Sequence, residues 1–493
     1  MERQRPAVPQ ERVVARRRAI HRHARGDERR TQGGQQVSDS IDRTASGGVT
    51  RREFVAAGTA AGLVAAAAVP ALPAFAQDAA KADAAPKGPP LKVALVGCGG
   101  RGTGAADQAL RADPGVVLWA VADVFPDRMD ACLKQFEGHP MKDRVQVPAE
   151  RRFAGFDGYK AAIDSGVDVV LLCSAPHFRP MHLAAAVDAK KHVFCEKPMF
   201  VDAPGYRSVV DSVRKAREAE RNLVSGFCWR RSSPERATFA ELEKGTLGTP
   251  MAMYSCYYTG PLGTNARKPG WSDMEFQVRN WQHFNWLSGD IIVEQAVHSI
   301  DKINWCFRNE PPAKAVGMGG RQLREAIPER GDVYDHFAIV YEWADGRRAF
   351  LNCRQQPDCH FENTDWIAGT KGQCFINGWG PTHWMKDPDG KVLWRYPANG
   401  PKPNMYQVEH DELFRAIRAG EVVDDGDWMV VSNMMAVLGR MAAYSGQQVT
   451  WAQAIASTES LAPPAYEMGA LPMPTEKKPG QYKVTVPDAM PGA

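Results

Sequence analysis

Apolar and polar positions change texture twice along the body of the chain. From 91 to 227, short continuous apolar runs at 91–96, 116–122, 167–173, 192–195 and 222–227 alternate with helix-compatible segments at 103–110, 156–164, 180–189 and 205–221. Brief apolar runs separated by helices read as buried parallel strands. The pattern predicts an α/β unit over 91–230 built on a doubly wound parallel sheet. After Trp229 the rhythm differs. Aromatic and turn residues crowd 256–288, a periodic helix is expected over 289–307, and strand-like alternation follows at 315–319, 336–342, 347–354 and 373–376. Helices are expected at 408–419 and 428–445. Runs of strands after a helix predict an α+β domain with a largely antiparallel open sheet over 231–461. A Pro-rich tail occupies 462–493.

The N-terminal region has no such periodicity. Residues 1–49 are rich in Arg, Gln and Gly and are expected to be disordered, or untranslated if the start lies near Val37. Thr50-Arg51-Arg52-Glu53-Phe54-Val55 is a twin-arginine box, followed by an Ala/Gly/Val run at 56–72 and by Ala74-Phe75-Ala76. This is the layout of a signal peptide over 50–76, with a short anchoring helix as the other reading. Residues 77–90 form a linker arm. Cleavage would leave an exported, periplasmic protein with no membrane attachment. Residues 1–76 hold 13 basic against 7 acidic side chains, so the +4 of the whole chain falls to −2 for the rest. A nearly neutral body carries no basic footprint for nucleic acid. The ten cysteines show no C-x-x-C or Cys/His spacing, and Cys98, Cys173 and Cys195 fall in apolar runs. Neither a disulfide framework nor a metal site is expected.

The first apolar run leads directly into Gly97-Cys98-Gly99-Gly100-Arg101-Gly102, then a helix, a second strand and Asp123. Strand, glycine turn, helix, strand and acid is the order of a Rossmann dinucleotide-binding unit. Gly97 permits the sharp turn, Gly99 and Gly100 admit a pyrophosphate, and Gly102 lets the helix pack on the strand. The helix N-terminus offers free N–H groups to phosphate. Asp123 can accept from a ribose 2′-hydroxyl and would repel a 2′-phosphate, which favours NAD over NADP. Ligands of such sheets lie beyond the carboxyl ends of the strands. Ser174, Pro176 and His177 follow one strand end, and Glu196 and Lys197 follow the next; with Arg101 they are expected at the cofactor.

Lys197, in Glu196-Lys197-Pro198, could exchange a proton with a substrate hydroxyl beside a nicotinamide, or could simply reach solvent from a strand end. Glu294, His298 and Asp301 would share one face of a continuous helix, with Glu294 orienting the imidazole. The other reading is a satisfied helix histidine. In Arg279-Asn280-Trp281-Gln282-His283-Phe284-Asn285-Trp286, aromatic faces and amides suit a sugar ring, with Trp281 and His283 as contacts, or else plug a domain interface. Arg230 and Arg231 could hold substrate hydroxyls or form interdomain ion pairs.

Taken together these motifs resemble the Gfo/Idh/MocA (glucose–fructose oxidoreductase, inositol dehydrogenase, MocA-like) oxidoreductases. The likeness spans roughly 91–460. It rests on the glycine turn, on Lys191-His192-Val193-Phe194-Cys195-Glu196-Lys197-Pro198, on Glu294–Asp301, and on Leu438-Gly439-Arg440 with Tyr444-Ser445-Gly446-Gln447. The resemblance implies an NAD(P)-dependent oxidoreductase of a carbohydrate or polyol, with Lys197, Glu294 and His298 at the nicotinamide and a homodimer or homotetramer formed through the open sheet. The family more often has Asp where this chain has Glu294. Export adds that the nucleotide should be tightly held. A redox-neutral cycle, either sugar-to-sugar exchange or glycoside cleavage or epimerisation through a keto sugar, would meet that need. A sugar- or nucleotide-binding protein without turnover is the reading from another class.

Overall fold

The computed structural model describes residues 88–324 and 331–487. The 1–49 stretch, the twin-arginine segment, nearly all of the linker arm and the last residues of the tail lie outside the described residues. The apolar runs of the first region become six parallel strands: β1 (Leu91–Val96), β2 (Val116–Asp123), β3 (Arg152–Ala154), β4 (Val169–Leu172), β5 (His192–Cys195) and β6 (Leu223–Ser225). Their order is β3-β2-β1-β4-β5-β6. The chain winds outward in opposite senses from β1 and from β4, so their diverging loops open a crevice at the carboxyl edge. Helices α1 (Gly100–Ala112), α2 (Pro126–Lys134), α3 (Gly158–Asp164), α4 (Arg179–Asp188) and α5 (Ala203–Glu218) connect the strands. β3 was not among the expected strands; its three residues, Arg152, Phe153 and Ala154, are exposed or half-buried and leave no apolar period to detect.

The second region begins with α6 (Ser233–Glu243) and β7 (Pro250–Thr259), then runs through α7 (Asp273–Arg279), α8 (Asn285–Ser288), α9 (Ile291–Glu294) and α10 (Val297–Cys306). Strands β8 (Lys314–Gly320), β9 (His336–Glu342), β10 (Arg348–Gln355), β11 (Thr364–Gly369), β12 (Gly372–Asn377), β13 (His383–Lys386) and β14 (Val392–Arg395) follow. With β15 (Val449–Thr450) they form a nine-stranded sheet among the described residues, antiparallel except where β10 runs parallel to β7. The alternation of exposed and buried positions along β10 gives this sheet one core face and one open face. Helix α10 and helix α12 (Gly426–Ser445) cover the core face. Helix α11 (Met405–Ala419), placed by the sequence in the second domain, returns to the first: Leu413, Phe414 and Ile417 join the core beneath α1 and β2. The chain ends its helical part in α13 (Trp451–Ala456).

The helix expected over 289–307 is two helices, α9 and α10, separated at Gln295 and Ala296. Gln295 is drawn aside, its Oε1 accepting from Thr259 and from Gln355 at 2.8 Å. His298 N–H then bonds Gln295 O rather than Glu294 O, ending the ordinary i to i−4 ladder. Glu294, His298 and Asp301 therefore do not share one continuous helical face.

Helix α10 is fixed to the sheet by Lys302, whose ammonium pairs with Asp365 of β11 with both side chains fully buried. Ser255 also donates to Asp365, and the Trp229 ring lies 4.2 Å from the ammonium. Removing one partner of a buried pair strands the other charge. Asp365→Ala is expected to cost about 3–5 kcal/mol in denaturant unfolding, whereas Lys302→Met combined with Asp365→Leu recovers most of that loss. Unchanged stability of the single variant would show that the pair does not anchor α10.

Candidate active site

The crevice is built first by the turn between β1 and α1. Gly97 has φ +96°, and a Cβ there would strike the backbone of Cys173 and Ser174. A Cβ on Gly102 would collide with the Gly97 carbonyl, so these two glycines bring β1, α1 and the β4 loop together. Gly99 and Gly100 are the reverse case: nothing lies within 4 Å of a Cβ built on either. That open space sits directly at the α1 N-terminus, where no side chain caps the helix. A glycine-lined concavity facing unshared N–H groups fits a dinucleotide pyrophosphate. Asp123 is at the β2 end. One oxygen accepts from Cys98 N–H at 2.7 Å and the other from Phe125 N–H at 3.0 Å. Burial raises its pKa, and those two N–H bonds partly offset the rise. The carboxylate thus ties the glycine turn to the ribose-side loop while remaining half-buried.

Arg101 and Glu196 meet each other. The guanidinium of Arg101 pairs with Glu196, whose second oxygen accepts from the N–H of Lys197 at 3.0 Å. Burial opposes the charge on Arg101, but Glu196 together with its other neighbours outweighs burial and raises the guanidinium pKa. The pair is a strut joining the glycine turn to the end of β5. Beneath it Glu409 of α11 is fully buried, and burial followed by the charge of Glu196 pushes its pKa well up.

Lys197 crosses from β5 to the second domain. Its Nζ donates to the Glu294 carbonyl at 2.5 Å and lies 3.5 Å from the Glu294 carboxylate. The carbonyl is available because the helix breaks one residue later. His298 opens α10, 5% exposed, with the Trp229 ring 5.0 Å away edge-on and Phe227 at 6.2 Å. Its Nδ1 has no hydrogen-bond partner among the described residues. Burial, then the charges of Lys197 and Lys302, depress the His298 pKa well below its ordinary value. The ring is therefore neutral at neutral pH.

Other expected contacts are engaged elsewhere. Arg230 and Asp301, anticipated at substrate, form a bidentate ion pair buried on both sides, 2.8 Å at its shortest. Ser432 also donates to Asp301, and the Trp305 and Trp428 rings flank the guanidinium, so the two charges satisfy each other. Arg231 is likewise paired, with Asp425 and Glu412. His283 is buried against Thr264 and the Gly263 carbonyl, and Trp281 packs beside Phe276 and Phe284 in an aromatic cluster. In that segment the interface reading describes what the side chains do. Ser174 contacts His182 at 3.0 Å. Pro176 and His177 form a buried turn after β4, with His177 edge-on to Trp286 at 5.1 Å. Burial lowers the His177 pKa to about 4.

Asn433 was not anticipated. Its Oδ1 accepts from Met199 N–H at 2.5 Å and Phe200 N–H at 3.2 Å, and its Nδ2 donates to Phe200 O, fixing the chain just after Lys197-Pro198. The signal was present: a lone amide inside the apolar run Met429–Val437 needs buried partners.

Residues 91–226 match the oxidoreductase family with an NAD-binding Rossmann fold, and residues 240–374 match the GFO/IDH/MocA C-terminal domain. Among characterised relatives, the myo-inositol 2-dehydrogenase of Thermotoga maritima is 24% identical over 287 residues, 58% of this chain and 75% of the relative. Two solved structures share the fold. Levoglucosan dehydrogenase, in complex with NADH and levoglucosan, has TM-score 0.56 at 17% identity, covering 73% of this chain and 99% of its own. The aldose–aldose oxidoreductase of Caulobacter crescentus, complexed with glycerol, has TM-score 0.56 at 20% identity over the same shares. With both of its domains matched in order, the chain belongs to the Gfo/Idh/MocA oxidoreductase family, NAD-binding in its first domain.

Proposed function

We propose that the protein oxidises a carbinol carbon of a sugar or polyol to a carbonyl, or runs the reverse reduction, with His298 handling the hydroxyl proton and Lys197 holding the oxygen. One observation carries the reading: Lys197, at the carboxyl end of β5, is tied by its Nζ to the Glu294 carbonyl, and four residues further on His298 is a buried, neutral imidazole whose Nδ1 has no partner among the described residues. Bound in that cradle, NAD supplies the two-electron redox partner. Lys197 has donors beyond the one given to Glu294 and can hydrogen-bond an alcohol oxygen, favouring it as negative charge develops. Neutral His298 accepts the proton, and its apolar ring contacts with Phe227 and Trp229 keep water from competing. The Glu294 carbonyl keeps Lys197 aimed, and the Glu294 carboxylate serves only as a neighbouring charge. Gly97, Gly99, Gly100 and Gly102 form the phosphate cradle, and Asp123 discriminates for NAD against NADP. Sugar or polyol as substrate class is supported by the inositol and levoglucosan dehydrogenases among its relatives.

Two further parts of the reading rest on the sequence and the open sheet. The twin-arginine box at 50–55 supports export to the periplasm, where a resident nucleotide recycled within each turnover replaces a free pool. The open face of the nine-stranded sheet bears Met318 of β8 at 70% exposure, with Phe350 of β10 and Trp366 of β11 also exposed across it, which supports a homodimer or homotetramer formed through that face.

Lys197→Ala and His298→Ala should each lower turnover by roughly 10²–10⁴-fold while the purified protein keeps its nucleotide. Unchanged turnover in both would remove these residues from the mechanism. Because burial and two ammonium groups depress the His298 pKa, acidification must pass below about 6.5 before the base is protonated. Oxidation rates at saturating substrate should therefore stay flat down to that pH and fall only beyond it; an acid limb centred higher would point to another base. Sedimentation should return two or four copies, with Trp366→Glu plus Met318→Glu shifting the mass to one; a wild type already sedimenting as one copy would remove the oligomer.

A further inference from the structure

Beyond α13 the described residues, 457–487, form no helix or strand, yet they are anchored at several points. It leaves along the first domain, where Leu461 N–H donates to Asp202 at 2.9 Å. Tyr466 then inserts its ring among Phe156, His177 and Phe178, and its hydroxyl bonds His177 Nε2 at 2.8 Å. Next the strap passes to the second domain: Met274 N–H donates to Gly469 O at 3.1 Å, and Gln277 Nε2 donates to the carbonyls of Leu471 and Pro472 at 3.1 and 3.2 Å. It continues past Tyr334, which donates to Lys477 O at 2.5 Å, and Gly480 N–H bonds Ser445 O. Finally it closes on itself, Thr458 N–H meeting Thr485 O at 3.0 Å and Tyr482 donating to Glu459.

The anchors are not scattered. Gln277, on α7, accepts from Trp286 Nε1 at 2.8 Å, and Trp286 stands edge-on to His177. The strap and α7 thus complete a closed circuit of Tyr466, His177, Trp286, Gln277 and Leu471 around the loop that follows β4. The same short helix ends in Arg279, which makes two bonds of 2.9 and 3.0 Å to Asp127 and lies 3.8 Å over the Phe125 ring, on the loop that follows β2. Both loops flanking the mouth of the crevice are therefore held to one helix, and the strap holds that helix from outside. Each tie is a hydrogen bond, an ion pair or an aromatic edge, of the kind that opens locally when one member is lost.

We propose that the C-terminal strap, 458–487, is a nucleotide keeper: through Tyr466 and Gln277 it locks the β2 and β4 loops against α7, so that NAD remains resident through turnover, the hydride taken from one sugar carbinol passing to the carbonyl carbon of the same or a second sugar, instead of exchanging as a cosubstrate. This rests on the reading that the β1–β4 crevice binds NAD. Dissociation then requires Tyr466 to part from His177 and α7 to part from the β2 loop. Tyr466 and Gln277 are positioning residues; neither takes part in the chemistry, and the signature of their role is the rate of nucleotide release.

The test uses the full chain purified with its nucleotide, chased with isotope-labelled NAD at a temperature well below unfolding. Wild type should exchange slowly and show activity independent of added NAD. Gln277→Ala, which cuts the ties to Trp286 and to the strap, should exchange at least tenfold faster, and its activity should come to depend on added NAD. Tyr466→Phe retains the ring and removes only the hydroxyl bond; it should fold normally and exchange several-fold faster, which keeps the test decisive if Gln277→Ala fails to fold. A purely stabilising strap would lower the thermal midpoint of these variants with exchange unchanged, and that result overturns the proposal. Wild type that binds NAD but exchanges it rapidly also overturns it while leaving the NAD site intact. Wild type that binds no NAD removes the site and the keeper together.

Discussion

The bond from Lys197 Nζ to the Glu294 carbonyl is the constraint on which the site depends. It joins the end of a parallel strand in one domain to an interrupted helix in the other. The interruption makes it available: in a continuous helix the Glu294 carbonyl would be committed to His298 N–H. Drawing Gln295 toward Thr259 and Gln355 releases that carbonyl and turns His298 into the first turn of a new helix. One local departure from helical geometry thus positions both groups at the candidate reaction centre.

Around that link, charge is kept in balance by pairing. Glu196 spans Arg101 and the Lys197 backbone, Asp365 answers Lys302, and Asp301 answers Arg230. Each pair is buried, where an isolated charge is costly and a paired one is tolerated. The result is a framework of ion pairs around His298, which is neutral, and Lys197, whose shortest contact is a peptide carbonyl with the Glu294 carboxylate at 3.5 Å behind it.

Much of this was legible in the sequence because it has a period or a spacing. The Rossmann half follows from apolar runs between helices, and the glycine turn and Glu196-Lys197-Pro198 stand at strand ends that the pattern locates. The open sheet was read from four alternating segments, but β7, its parallel partner to β10, was missed because aromatics at Tyr254, Tyr257 and Tyr258 obscure its alternation. The helix break was hidden for a different reason. Apolar spacing continues through Gln295 and Ala296, and only side-chain bonds to distant strands show that the backbone turns there. Arg230 and Asp301 have the composition of a binding site, and nothing local reveals that they satisfy each other across 71 residues. The tail read as polar and Pro-rich, which it is; its anchoring depends on carbonyls and N–H groups that carry no sequence signature.

The solved relatives are covered almost completely by about three-quarters of this chain, at identities near one-fifth. At that distance the shared property is the scaffold, and the site must account for its own behaviour. Glu294 illustrates the point. An Asp there, with its shorter side chain, would leave its carboxylate further from Lys197. Here the main-chain oxygen, not the carboxylate, makes the shorter contact. Orientation of the lysine is consequently carried by the backbone break, which does not depend on side-chain length. A Glu at 294 is therefore compatible with the same aim for Lys197 that an Asp would allow, and the carboxylate is left to tune the local field rather than to hold the ammonium.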